Sequence, residues 1–212
     1  MKVDGGLMGD LAKSVASAKR LESIGFDGAI TAETSHDPFF PLLLAAQETE
    51  KIELVTSIAV AFARTPMNLA NIGHDLNSFS KGRFVLGLGS QIRPHITKRF
   101  SMPWSRPAAR MREFILAMRA IWDCWHKGEN LNFQGEFYTH SLMTPMFTPL
   151  DNEYGAPKVF LAAVGPKMSE VAGEVADGIL IHAFTTEKYL REVTLPSVEA
   201  GLAKGGKSRD KF

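Results

Sequence analysis

Cysteine is nearly absent: Cys124 stands alone in 212 residues. That excludes an intramolecular disulfide and a cysteine-based metal site, and it points to a reducing compartment. Charge of one sign is not in surplus either, with 24 Lys and Arg against 23 Asp and Glu. The balance speaks against a nucleic-acid binder, whose surface carries a basic excess. No apolar run reaches the roughly 18 residues of a membrane span, and the N-terminus lacks the basic-then-apolar layout of a signal peptide. His, Asp and Glu nowhere fall at metal-ligand spacing, so no metal is expected. The expectation is a cytoplasmic protein that handles a small molecule, without a membrane or nucleic-acid partner.

What is present is a rhythm of short apolar strands and amphipathic helices. Hydrophobic residues make up 45% of the chain, and a chain of this length buries roughly 70% of its unfolded surface. A strand within residues 1–6 leads to Asp10, which is placed to cap a helix with Leu11, Val15, Ala18 and Leu21 on one face. Gly25 ends that helix. Residues 27–32 form a second strand, followed by the polar loop Glu33-Thr34-Ser35-His36-Asp37 and a helix opened by Pro38. Residues 52–91 then read as one βαβ unit: IELVTSIAV, Arg64-Thr65-Pro66 opening a helix to Ser80, and FVLGLGSQ. Neither strand alternates polar with apolar residues, the mark of a parallel strand covered on both faces.

Beyond Gln91 the rhythm breaks. A basic loop (Arg93, His95, Lys98, Arg99) leads into a long helix over residues 107–126. Residues 128–157 read as an insertion carrying a hairpin over 131–138. The pattern resumes with a fifth strand over 159–164, a helix opened by Gly165-Pro166, a sixth strand over 178–182 and a final helical segment beyond Thr186. About six βα units in series fit either an open doubly wound sheet or an incomplete eight-stranded barrel, and spacing alone does not decide. A barrel lacking two strands has free edges, which are covered by a partner or by the insertion unless the sequence is a fragment. Gly87-Leu88-Gly89-Ser90-Gln91-Ile92 is no dinucleotide fingerprint, because Ile92 replaces the third glycine. Its glycines read as room for a ring or tail to approach the strand end.

The succession GFDGAI, a polar loop with His36, SIAVAFARTP, KGRFVLGLGSQ, AAVGPKM and ADGILIH resembles the luciferase-like monooxygenase superfamily, specifically its coenzyme F420-dependent oxidoreductases. Arg64 with Pro66, the Gly-Arg-Phe-x-Leu-Gly-Leu-Gly strand, and Trp122 followed by Gly135-Glu136-Phe137-Tyr138 carry the resemblance. It implies a TIM (β/α)8-type barrel over residues 1–212, incomplete at its C-terminus, with the insertion after strand four. F420 is the implied cofactor and FMN the alternative; a homodimer is implied as well. A non-catalytic cofactor-binding or structural relative is the contrasting reading.

The resemblance also implies roles. Ser57-Ile58 matches a cis peptide bulge beneath the deazaflavin ring, with Gly89, Ser90 and Gln91 beside it. Val164, Gly165, Pro166 and Lys167 match a phosphate-holding loop, where a helix start and a lysine attract an anion. Relatives with a catalytic Asp-His pair place it on Glu33 and Thr34 here, so the carboxylate is kept and His36 stands in for the histidine. The proton-donating glutamate of sugar-phosphate dehydrogenases falls on Ile92, which makes glucose 6-phosphate a poor substrate expectation. His74 reads as a packing or surface residue, His126 and His140 lie near the insertion, and His182 is a candidate pocket liner at the end of the sixth strand. Arg93, His95, Lys98, Arg99, Arg106 and Arg110 are candidates to meet the polyanionic tail of F420.

Overall fold

Strands and helices alternate through the computed structural model, which describes residues 2–7, 10–150 and 153–212. β1 (Asp4–Gly6), α1 (Ser14–Ser23), β2 (Gly28–Thr31), α2 (Phe39–Glu48) and β3 (Glu53–Thr56) come first. A short β4 (Ala59–Val60), α3 (Pro66–Phe79), β5 (Phe84–Gly89) and the long α4 (Pro107–Lys127) follow. A hairpin of β6 (Phe133–Gln134) and β7 (Thr139–His140) precedes β8 (Lys158–Ala163) and α5 (Pro166–Val175). β9 (Gly178–Ile181), α6 (Glu187–Tyr189) and α7 (Leu195–Lys204) complete the order. Met1 of the expected first strand, and Asp151 and Asn152 of the expected insertion, lie outside the described residues.

The main sheet is parallel and runs β1-β2-β3-β5-β8-β9, so each strand lies beside its neighbours in the chain. A doubly wound sheet reverses strand order at a switch point. This one does not, and it curls into a half-barrel of the TIM type. β5 shows why: all of Phe84–Gly89 is buried, which requires cover on both faces. Helices supply it from outside. α4 turns Met111, Phe114, Ile115, Met118, Ile121, Trp122 and Trp125 inward at helical spacing, and the Trp122 indole N–H donates to the Ala70 carbonyl of α3 at 3.1 Å. Proline opens α3, α4 and α5, where its missing N–H costs nothing.

Two local expectations need correction. Asp10 does cap, accepting from the Ala12 amide at 2.9 Å, but what it caps is a 3-10 turn over Leu11–Lys13. Leu11 is left 44% exposed, while Ala18 is buried as expected, with Ser14 beside it on the buried face of α1. In the hairpin, Gly135-Glu136-Phe137-Tyr138 is the turn and Thr139-His140 the returning arm. The Glu113 carboxylate on α4 gathers the amides of Glu136, Phe137 and Tyr138 and bends the chain there. β6 and β7 pair with each other and not with the main sheet, so among the described residues the hairpin covers neither sheet edge.

Candidate functional site

Parallel strands place all their carboxyl ends on one side of the sheet, the side where ligands bind in such folds. β3 is interrupted there. Its register with β5 is Val55↔Val85 and resumes as Ala59↔Leu88, four residues on one strand against three on the other, which defines a one-residue bulge. The Ser57-Ile58 peptide within it is cis. The Ser57 amide donates to the Thr31 carbonyl at 2.6 Å and holds the bulge against β2.

Glycine is what lets β5 accept the bulge. A Cβ on Gly87 would sit 1.8 Å from the Thr56 carbonyl oxygen, and one on Gly89 would sit 2.8 Å from the Ile58 side chain. The Thr56 hydroxyl donates to the Gly87 carbonyl at 2.8 Å and accepts from its amide at 2.9 Å. These glycines therefore admit the neighbouring strand. Past them, Gln91 adopts a left-handed backbone with φ 59°, and its side-chain oxygen accepts from the Ile92 amide at 2.9 Å. The Ser90 hydroxyl donates to the Gln91 carbonyl at 3.1 Å.

Glu33, Thr34, Ser35, His36 and Asp37 form the loop after β2, and this loop is tied down at several points. The Glu33 amide donates to the Ile58 carbonyl at 3.2 Å. Its carboxylate Oε2 accepts from the Val60 amide at 2.7 Å and from Arg64 Nη1 at 2.6 Å. Arg64 Nη2 reaches the Asp37 carboxylate at 2.9 Å, and the guanidinium lies over the Phe39 ring at 5.4 Å. Arg99 donates to the Thr34 carbonyl. Arg64 and Glu33 are shielded, with 17% and 7% of their side chains exposed. His36 itself is exposed and borders a cavity of about 90 Å³ shared with Leu7, Thr31 and Pro41.

At the end of β8, Val164 is 61% exposed. α5 starts at Pro166 with Gly165 as its cap, and a Cβ on Gly165 would meet open space. The Gly165 carbonyl accepts from the Met168 and Ser169 amides at 3.1 and 3.0 Å. Lys167 is exposed beside that turn. His182 is exposed beyond β9, its ring 5.3 Å from Phe184. Among the basic candidates, Arg99, Arg106 and Arg110 are engaged: Arg106 pairs with Glu136, and Arg110 donates to the Tyr138 hydroxyl at 2.8 Å and to the Pro103 carbonyl at 2.6 Å. Arg93 and Lys98 form no ion pair among the described residues.

The remaining histidines stand apart from these strand ends. His74 is buried and stacks on His126 at 5.4 Å and edge-on to Trp125 at 5.7 Å, a packing role. Burial pushes the His140 imidazole below its ordinary value. Sequence reasoning assigns no role to Arg64, because its two carboxylate partners lie about thirty residues away on another strand's loop. The available signal was an arginine just before a Pro-opened helix, beside a strand too apolar to leave it unpaired.

The luciferase-like monooxygenase family model matches residues 2–212. An uncharacterized protein of Mycobacterium tuberculosis is 58% identical over 212 residues, covering 100% of this chain and 62% of that protein. An F420-dependent glucose-6-phosphate dehydrogenase of Intrasporangium calvum is 28% identical over 208 residues, 90% of this chain and 60% of that enzyme. A solved F420-dependent secondary alcohol dehydrogenase, in complex with an F420-acetone adduct, superposes with a TM-score of 0.84 at 22% identity, covering 100% of this chain and 67% of that one. The chain thus spans between half and about three fifths of the length of the curated relatives it matches.

Proposed function

The chain belongs to the luciferase-like monooxygenase family, and from that premise we propose that it is an F420-dependent oxidoreductase passing a hydride between the deazaflavin and a small organic substrate. One observation carries the reading: the candidate residues lie at the carboxyl ends of β2, β3, β5 and β8, four strands that are consecutive in the sheet. A ligand lying across those ends meets the Glu33 loop, the Ser57-Ile58 bulge, Ser90-Gln91 and the start of α5 together. The F420-dependent relative, similar over 90% of this chain, supports the cofactor class.

The residues suit such a ligand. The start of α5 offers a helix dipole and the exposed Lys167 to a phosphate. Arg93 and Lys98, which form no ion pair among the described residues, are cations for the ligand's carboxylates. Bound there, F420 supplies the hydride chemistry at its C5, which is the cofactor's own. The exposed His36 gives or takes the proton on the substrate oxygen. Glu33, whose Oε2 already holds Val60 and Arg64, fixes the bulge and the loop in register. Ile92 stands exposed beyond β5 with no carboxylate to offer, so the substrate is taken to differ from glucose 6-phosphate.

Titrating purified protein with F420 and, separately, with FMN while following cofactor fluorescence tests this. Saturable binding of F420 in preference to FMN is expected. Binding of FMN alone would overturn the cofactor in favour of a flavin monooxygenase, and binding of neither would favour a non-catalytic relative.

A further inference from the structure

Arg64 joins two parts of the site that the chain keeps far apart. One fork of its guanidinium holds Glu33, which also receives the Val60 amide just past the bulge. The other holds Asp37, whose second oxygen accepts from the Phe39 amide at 2.9 Å at the start of α2. Glu33 and Asp37 are the two ends of the five-residue loop that carries His36. Arg64 also donates to the Val60 carbonyl at 3.3 Å, so a single planar cation touches both loop ends and the segment beyond the bulge. Such a bidentate bridge is stiff, and a lysine cannot reproduce it because its ammonium is one point charge.

We infer that Arg64 is the positioning residue of this site: it sets His36 relative to the bulge on which the cofactor ring rests. The inference deepens the function proposed above and rests on it for the cofactor, but the link between Arg64 and His36 is a property of the protein alone. Thr34, Ser35 and His36 are the exposed residues of the loop, so the bridge presents His36 without engaging it. The two halves are separable. Asp37→Asn weakens the loop side, and Glu33→Gln weakens the bulge side.

The test compares Arg64→Met, Arg64→Lys, Glu33→Gln and Asp37→Asn with the wild-type chain. Three readouts are followed: the His36 imidazole NMR signals of the unliganded protein, the Kd for F420 by fluorescence, and the thermal midpoint. Arg64→Met is expected to move the His36 signals and to weaken F420 about tenfold, the scale of one charge-assisted hydrogen bond. Asp37→Asn moves His36 and leaves the Kd within about twofold; Glu33→Gln does the reverse, and Arg64→Lys recovers part of both. A folded Arg64→Met protein with a lower midpoint but wild-type His36 signals would overturn the inference, leaving Arg64 a purely structural residue. Should the wild type bind no F420, the function proposed above fails, and the His36 signals still decide the role of Arg64.

Discussion

At the scale of single residues, several carboxylates of this protein hold backbone amides. Glu22 on α1 receives the amides of Glu50, Lys51 and Ile52 at 3.0, 2.7 and 2.9 Å, where α2 turns into β3. Burial by itself raises the Glu22 carboxyl, but the three amides and nearby Arg83 outweigh it and leave the pKa lowered. The folded value lies below the unfolded one. The contribution to stability is therefore complete above the ordinary carboxylate range and disappears as pH falls through the lowered folded value. Glu22→Gln is expected to cost about 1 to 2 kcal/mol at neutral pH, a drop of a few degrees in Tm for a chain of this size. Thermal unfolding repeated towards about pH 3 should show wild type and variant converging as Glu22 protonates. A gap that stays constant with pH would rule out the charged carboxylate as the cause.

Among the elements, the hairpin of β6 and β7 depends on α4. Two strands of two residues each do not hold themselves together. Glu113 gathers the turn amides at 2.6 to 2.9 Å. Tyr138 stands edge-on to Phe114 at 5.4 Å, and burial raises its hydroxyl pKa. A Cβ on Gly135 would meet Glu113 Oε1 at 2.1 Å, so a larger residue there pushes the carboxylate aside. Glu113→Ala removes the shared acceptor at a cost of about 1 to 3 kcal/mol, borne locally. Limited proteolysis should then cleave within residues 128–157 at least several-fold faster, with the far-UV circular dichroism of the sheet and helices unchanged. Equal cleavage rates would place the anchor elsewhere.

Over the whole molecule, the sheet has a protected middle and two strands with one partner each. β3 and β5 are flanked on both sides, whereas β1 and β9 each pair along one edge among the described residues. No helix among the described residues is long and apolar enough to cross a membrane. Hydrogen exchange followed by mass spectrometry should find β3 and β5 slowest and β9 exchanging orders of magnitude faster, close to local-fraying rates. Protection of β9 equal to that of β5 would mean that a second chain covers this edge in solution.

Local sequence pattern determined where most of the strands and helices lie. A run such as FVLGLG admits little besides a strand buried on both faces, and prolines at 66, 107 and 166 mark helix starts whatever surrounds them. The polar loop with His36 and the small residues at the strand ends were legible for the same local reason. Strand order was not, because a doubly wound sheet and a barrel are built from the same βα units. Tertiary structure also decided that Gly87 and Gly89 make room for the neighbouring strand, and that Glu33 and Asp37 share Arg64. Those contacts join residues roughly thirty positions apart. Their geometry exists only once the sheet has brought the ends of β2, β3 and β5 together.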